Sequence, residues 1–330
     1  MSLGGASLLL LAIAALALAL GAYPVTPPLL ATVLWSKLRG LPETNTAAAT
    51  VIFAIRGPRI LGAMLVGAAL SSAGAAYQGL FRNPLVSPDI LGVSSGSALG
   101  AVAGIFLGLP VAGIEATAFI GGLFAVLAVY GIAAAVRGRD PLLVLVLSGV
   151  VIGALMGSGV ALLKFLADPE NQLPAITFWL LGSLASFDRG DLLVVTVPVV
   201  VALLPMILLR WQLDVMTLGD EEASALGVNI RLVRASVVAA ATLMTAAAVA
   251  VSGIVGWIGL VVPHIARLTI GPGFARLLPM ATLLGAGFLL LVDTAARTLG
   301  TIELPLGVLT AVVGTPVFLL LLARGGRGWS

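Results

Sequence analysis

Long apolar runs alternate with short polar interruptions along the whole chain. Ten runs reach or approach spanning length: residues 6–22, 58–80, 91–109, 112–136, 141–167, 191–209, 231–251, 254–268, 277–298 and 305–323. A helix crosses the hydrocarbon core with about 20 mostly apolar residues. None of the runs alternates apolar and polar positions with period two, so helices are expected rather than barrel strands. Lipid offers a bare backbone no hydrogen-bond partner, which leaves only those two forms. The eighth run is short and predicts a half-span or a broken helix. The first lacks a basic flank and predicts a retained helix rather than a cleaved leader. The expected fold class is an all-α polytopic membrane protein of about ten transmembrane helices, with residues 1–330 forming one domain.

Composition agrees. The chain is 60% apolar and 9% charged, against about 25% charged in an ordinary soluble domain. Its mean hydropathy is +1.17. It has no cysteine, which excludes disulfides, zinc–thiolate sites, iron–sulfur clusters and cysteine nucleophiles. The net charge of +3 is small and the basic residues are scattered, so nucleic-acid binding has no support.

Lys and Arg in the loops set the expected orientation. Ten spans place both ends of the chain on one side. Arg82, Arg137, Arg139, Arg210, Arg231, Arg234, Arg267, Arg276, Arg324 and Arg327 then share that side. Lys37, Arg39, Arg56, Arg59, Lys164, Arg189 and Arg297 fall on the other. The more basic side is assigned to the cytoplasm. The outer face still carries seven basic residues, which reads either as helix-end anchoring or as a docking surface for an acidic partner. A weak internal repeat adds to this: Gly74, Pro84 and Gly92 recur at constant offset as Gly253, Pro263 and Gly271. The copies begin at the second and seventh spans, giving spans two to five and seven to ten opposite orientation, as in many transporters.

The polar interruptions carry the candidate chemistry. Residues 217–227 contain T-L-G-D-E-E-A-S-A-L-G. Asp220, Glu221 and Glu222 suit the positive end of a short helix, and Gly227 suits its stop. With Ala223, Leu226 and Val228 as apolar points, the segment is either a solvated connector or a helix that inserts into a groove on another protein. His264, the only histidine, lies beside Pro263 and three residues before Arg267. Without partner ligands it reads as a structural, hydrogen-bonded group rather than a proton relay or metal ligand. Asp293 and Arg297 stand i,i+4, a favourable intrahelical pair. Glu303 precedes Leu304-Pro305 and opens the last span. Residues 168–184 hold a short apolar helix, Ala175–Leu184, too short to cross and placed at the outer mouth. No Walker sequence, G-x-S-x-G, H-E-x-x-H or regular line of basic residues occurs, so neither P-loop ATP hydrolysis nor those catalytic chemistries are expected.

Several segments together resemble the FecCD family, the permease subunits of type II ABC importers for iron–siderophores, haem and vitamin B12. They are R-G-P-R (56–59), R-N-P-L-V-S-P-D-I-L-G (82–92), L-G-D-E-E-A-S-A-L-G-V (218–228), G-W-I-G-L-V-V-P-H-I-A-R (256–267), D-T-A-A-R (293–297) and E-L-P-L-G-V-L-T-A-V-V-G-T-P-V-F (303–318). Gln78, Asn83, Pro84, Pro263, His264 and Asp293 are motif positions. The resemblance implies a ten-helix permease in the cytoplasmic (inner) membrane of a bacterium or archaeon, with both termini cytoplasmic. It would act as a homodimer with two ABC ATPases and one periplasmic binding protein. The chain itself would need no cofactor or metal, because ATP and Mg would bind the ATPases. Arg56, Arg59 and Arg297 would receive acidic groups of the binding protein. Leu218, Gly219, Asp220, Glu221, Glu222, Ala225, Leu226 and Gly227 would form the coupling helices in the ATPase groove. Leu142 and Leu143 would mark the cytoplasmic gate, with spans five and ten lining the path. The cargo would be a metal chelate or, as in some related permeases, an oxyanion such as molybdate; an ion-coupled secondary transporter is the rival class. Where the family often has D-H-R after the eighth span, this chain reads Gly273-Phe274-Ala275-Arg276.

Overall fold

The computed structural model describes residues 1–41, 45–136 and 141–324. Arg137, Arg139 and Arg327 of the orientation argument, and the side chain of Arg324, lie outside the described residues. Every one of the ten apolar runs is a helix: α1 (Leu3–Ala19), α4 (Gly57–Leu80), α5 (Val93–Phe106), α6 (Val111–Ala135), α7 (Pro141–Leu166), α9 (Arg189–Leu208), α12 (Ile230–Ser252), α13 (Ile258–Ile270), α14 (Phe274–Ala296) and α15 (Leu306–Arg324). Shorter helices fill the connections: α2 (Pro27–Arg39), α3 (Thr46–Thr50), α8 (Gln172–Leu181), α10 (Arg210–Met216) and α11 (Asp220–Ala225). A π-turn, Val51–Arg56, joins α3 to α4.

Burial sorts the long helices. The most apolar stretch of the Thr46–Leu80 helix is 83% buried and that of α12 is 72% buried, against 22% in α9 and 28% in α6. Thus α4 and α12 form the centre, while α6 and α9 turn apolar faces outward. Lipid is as apolar as leucine, so close backbone approach rather than water exclusion must hold the centre. Glycines provide it. A side chain at Gly74 would collide with the carbonyl oxygen of Gly259, and one at Gly67 with that of Gly285. Pro263 lacks the N–H that would bond the Gly259 carbonyl within α13, and this carbonyl faces α4 instead.

The four-helix repeat is present, in a different register from the Gly/Pro spacing. Helices α4, α5, α6 and α7 have 24, 14, 25 and 26 residues, and α12, α13, α14 and α15 have 23, 13, 23 and 19. Their contacts are reciprocal: α4 packs on α13 and α14, α12 on α5 and α6, and α4 on α12. The three Gly/Pro pairs do not occupy matching places. Gly74 is inside α4 whereas Gly253 caps α12; Pro84 is in a loop whereas Pro263 is inside α13; Gly92 opens α5 whereas Gly271 closes α13. The equivalent of Gly92, with φ 78°, is Trp257, with φ 70° before α13. Glycine is the easy residue there, but the strained Trp257 fills the second copy, so a glycine search finds the wrong register.

The short eighth span has a counterpart that the hydropathy hid. Span three was expected over 91–109, yet α5 begins only at Val93 and ends at Phe106. Before it a 3₁₀ turn, Pro88–Leu91, runs back into the bundle, with Ile90 against Gly149 of α7 and Pro88 against Gly259 of α13. Leu91 and Gly92, at the end of this turn, are uncharged and extend the run.

Candidate functional site

Two ends of the bundle collect the charged residues. At one, α1 finishes, α4 and α15 start, and α14 finishes. Arg59 donates from Nε to Asp293 Oδ1 at 2.9 Å and grips Glu303 with both terminal nitrogens at 2.9 Å each. Asp293 is fully buried and also faces Arg297, at 3.6 Å. Arg297 donates to the carbonyls of Ala17 and Leu20, at 2.6 and 2.8 Å. Arg56 donates to those of Leu18 and Tyr23, both at 2.6 Å. Carbonyls at a helix C-terminus lack intrahelical donors and carry partial negative charge, so Arg56 and Arg297 together cap α1.

Arg56, Arg59 and Arg297, expected to receive acidic groups of a binding protein, direct their charge into this chain. Arg56 and Arg59 are only 5% and 9% exposed, and every guanidinium is committed to this chain. The i,i+4 pair of Asp293 with Arg297 exists, but Arg59 is the nearer partner, and Glu303 is a ligand of Arg59 rather than only a helix start. Nothing in the local pattern signalled that residues so far apart in sequence would share charge. Exposed basic groups at this end are Lys37, Arg39 and Arg189. Lys37 lies 5.5 Å from the Phe53 ring centroid, and Arg189 donates to the Phe53 carbonyl at 3.0 Å.

The mouth segment 168–184 holds α8, which starts at Gln172, earlier than the expected Ala175, and ends at Leu181. Gln172 reaches the Phe106 carbonyl at the end of α5, at 2.9 Å. Gly182, with φ 76°, then turns the chain so that Ser183 donates to Ser252 and Leu306 donates to Gly182, at 2.8 and 3.0 Å. The ends of α8 and α12 and the start of α15 are thereby tied together. Asp168 is exposed; hydrogen bonds from the Asn171 side chain and nearby backbone hold its carboxyl below the usual range.

At the opposite end, α10 and α11 sit between α9 and α12. Asp220, first residue of α11, pairs with Arg234 at 2.9 Å and with Arg82 at 3.6 Å. Gly219, with φ 133°, makes the turn before it, and Gly227, with φ 83°, the turn after it. Ala223 and Val228 were expected to point outward but are buried in the chain's own core. The exposed apolar points are Leu218, 63% exposed, and Leu226, 55% exposed. Glu221, Glu222 and Ala225 are exposed too. The Gly273-Phe274-Ala275 departure also has a place here: the Phe274 N–H donates to Asp214 Oδ1 at 2.6 Å while its ring is buried. Asp214 of α10 thus caps the start of α14, a role its sequence position did not reveal.

Other motif residues lie between these ends. Gln78 donates to the Leu260 carbonyl at 3.0 Å, tying α4 to α13. Asn83 accepts from Leu85 N–H at 2.9 Å, and Pro84 follows it in the turn after α4. His264 is half-buried on α13. Leu142 and Leu143 open α7, with Leu143 exposed. From there Leu143, Leu147 and Val150 continue one exposed stripe on α7, and Val308, Val312 and Leu319 another on α15. No group of three or more His, Cys, Asp or Glu suited to a metal occurs among the described residues.

The FecCD transport family profile matches residues 8–324. The chain belongs to the FecCD family. It is a permease subunit of an ABC importer, a family of membrane transport subunits. Among its relatives, the molybdate import system permease protein MolB of Haemophilus influenzae is 39% identical over 98% of this chain and 96% of its own length. The hemin transport system permease protein HmuU of Yersinia pestis is 40% identical over 86% of each chain. The cobalamin import system permease protein BtuC of Halobacterium salinarum is 40% identical over 86% of this chain and 75% of its own. A solved structure of a metal-chelate type ABC transporter, in an inward-facing conformation, superposes with a TM-score of 0.88 at 36% identity over 98% of both chains. Family membership implies work alongside ATPase and substrate-binding subunits.

Proposed function

We propose that this chain is the membrane half of a type II importer, acting as a homodimer with two ATPases and one binding protein. It moves a metal chelate (iron–siderophore, haem or cobalamin) from the periplasm to the cytoplasm. The α11 end is the cytoplasmic end, with both termini on that side, in the inner membrane. The observation that carries this reading is α11 itself. Its charge is anchored inward through Asp220 to Arg234 and Arg82, while Leu218 and Leu226 stand exposed just before and just after this short helix. That is what a lever between an ATPase groove and the spans requires. ATP and Mg bind the partner subunits, and this chain supplies no bond-breaking group.

The exposed stripes of α7 and α15 support a second copy across the axis, with the cargo path between them and Leu142 and Leu143 at its cytoplasmic end. The binding protein docks on the platform that Arg56, Arg59 and Arg297 brace from within, and Lys37, Arg39 and Arg189 supply its positive surface. Asp293, the carboxylate that an ion-coupled carrier would have used, is committed to Arg59 and Arg297. A second reading of the cargo, molybdate, is favoured by the likeness to MolB over 98% of this chain.

The test is uptake into liposomes holding the permease with its ATPase and binding protein, offered haem, ferric siderophores, cobalamin and molybdate in turn. ATP-driven uptake of a chelate supports the first reading and uptake of molybdate the second. Uptake without ATP or without the binding protein rejects both.

A further inference from the structure

A groove of about 440 Å³ lies between the end of α9 and the start of α14. Leu203 and Ile207 line it from α9, and Ala275, Leu278 and Leu283 from α14. From residue 203 to 210, or from 275 to 283, is about 10–12 Å of helix at 1.5 Å per residue. The groove therefore reaches well into one half of a hydrocarbon core, which is about 15 Å deep. The Thr282 hydroxyl in its wall is already used: it donates to the Leu278 carbonyl and meets the Ser72 hydroxyl, both at 2.8 Å. Ile207 is exposed, with Leu204 and Leu208 beside it, so the groove opens on the apolar face that α9 turns outward. Arg210 lines its end, where α9 gives way to α10. This arginine is exposed, and its side chain has no hydrogen bond or ion pair among the described residues. No acidic residue lines the groove among the described residues. Trp211, next in the chain, is exposed as well, and tryptophan concentrates at the membrane–water boundary.

We infer that this groove binds one anionic phospholipid, with an acyl chain along Leu203, Leu278 and Leu283 and the phosphate on Arg210. Two requirements meet in that one molecule. Apolar walls favour a hydrocarbon chain over water, and an unpaired guanidinium at the boundary takes a phosphate through parallel hydrogen bonds. Basic pockets between spans suit anionic head groups for the same reason. The assignment to the cytoplasmic leaflet rests on the orientation proposed above for the α11 end. The binding itself does not.

The experiment titrates the full-length permease in detergent micelles with phosphatidylglycerol, phosphatidylcholine or inorganic phosphate. Native mass spectrometry reads the lipid retained, and a thermal scan reads the stability. Wild type is expected to hold phosphatidylglycerol about fivefold more tightly than phosphatidylcholine, the gain from one basic residue beside anionic lipid. Arg210→Gln should erase that preference. Ala275→Trp, which places a ring in the groove and keeps the arginine, should lower retention of both lipids. Arg231→Gln removes another exposed arginine at the same end of the bundle and should change neither. Equal retention of the two lipids by wild type, or an undiminished preference in Arg210→Gln, overturns the phosphate assignment. Undiminished retention in Ala275→Trp puts the lipid elsewhere and overturns the groove. If phosphate raises the melting temperature of wild type but not of Arg210→Gln, while both lipids bind all variants alike, a free anion is the occupant and the inference falls. No ATPase takes part in this measurement, so its failure leaves the reading of α11 untouched, and failure of that reading changes only the leaflet.

Discussion

Arg59 and Asp293 lie 234 residues apart in the chain and meet at 2.9 Å, with the aspartate fully buried. Removing one member of such a pair leaves the other as an uncompensated buried charge, which costs roughly 3–5 kcal/mol. Arg59→Met should therefore destabilise the permease by about that much, since it leaves the buried Asp293 only Arg297, at 3.6 Å. Glu303 also binds Arg59 but is 42% exposed, so Glu303→Gln should cost only about 0–1 kcal/mol. Unfolding in mixed micelles compares the two. Equal costs would contradict a network centred on Asp293.

The α4–α13 contact depends on a missing side chain. Gly74→Ala must push against the Gly259 carbonyl, and overpacking of this kind costs typically 1–3 kcal/mol. Gly79 is on the same helix with nothing within 4 Å of a would-be side chain. Gly79→Ala should stabilise by about 0.4–1 kcal/mol through the unfolded chain. Opposite signs in one unfolding assay are the expected result.

Asp214 caps α14 from a different helix, through its 2.6 Å bond to the Phe274 N–H. Asp214→Ala should cost about 0.5–2 kcal/mol, as loss of a helix cap does. Hydrogen exchange should rise first in the initial turn of α14. Exchange that rises evenly across the bundle would refute a local capping role.

Buried and exposed arginines should separate in function. Lys37→Glu with Arg189→Glu changes exposed charge near Phe53. It should weaken binding-protein association about tenfold or more with a stability change within ±0.5 kcal/mol, as for ordinary surface substitutions. Arg56→Glu should instead lower the melting temperature, because α1 loses its cap. A surface plasmon assay with a parallel thermal scan distinguishes the two; docking lost in a stably folded Arg56→Glu would restore Arg56 as a contact residue.

Much of the fold was legible because lipid simplifies the chemistry. Each of the ten apolar runs became a helix, including the half-length α13. The turn before α5 was not legible, since Leu91 and Gly92 at its end have the composition of a span. The repeat was visible in outline but misread in register, because Trp257 holds a backbone conformation that a search for glycine overlooks. The segment that became α11 was recognised, yet which of its apolar residues face outward was not: Ala223 and Val228 turned inward and Leu218 outward. A helix of 6 residues is too short for periodicity to assign its faces.

By itself the sequence determined the solvent, the helical form of the ten long runs and the family, because an apolar run of spanning length without period-two alternation can satisfy its backbone only as a helix. Tertiary structure alone decided where the charges go. Arg56, Arg59 and Arg297 look alike as loop-end arginines, and the partners that turn them inward are carbonyls of α1 and carboxylates of Asp293 and Glu303. Electrostatic pairing depends on distance in space, and local pattern carries no record of a neighbour more than two hundred residues away.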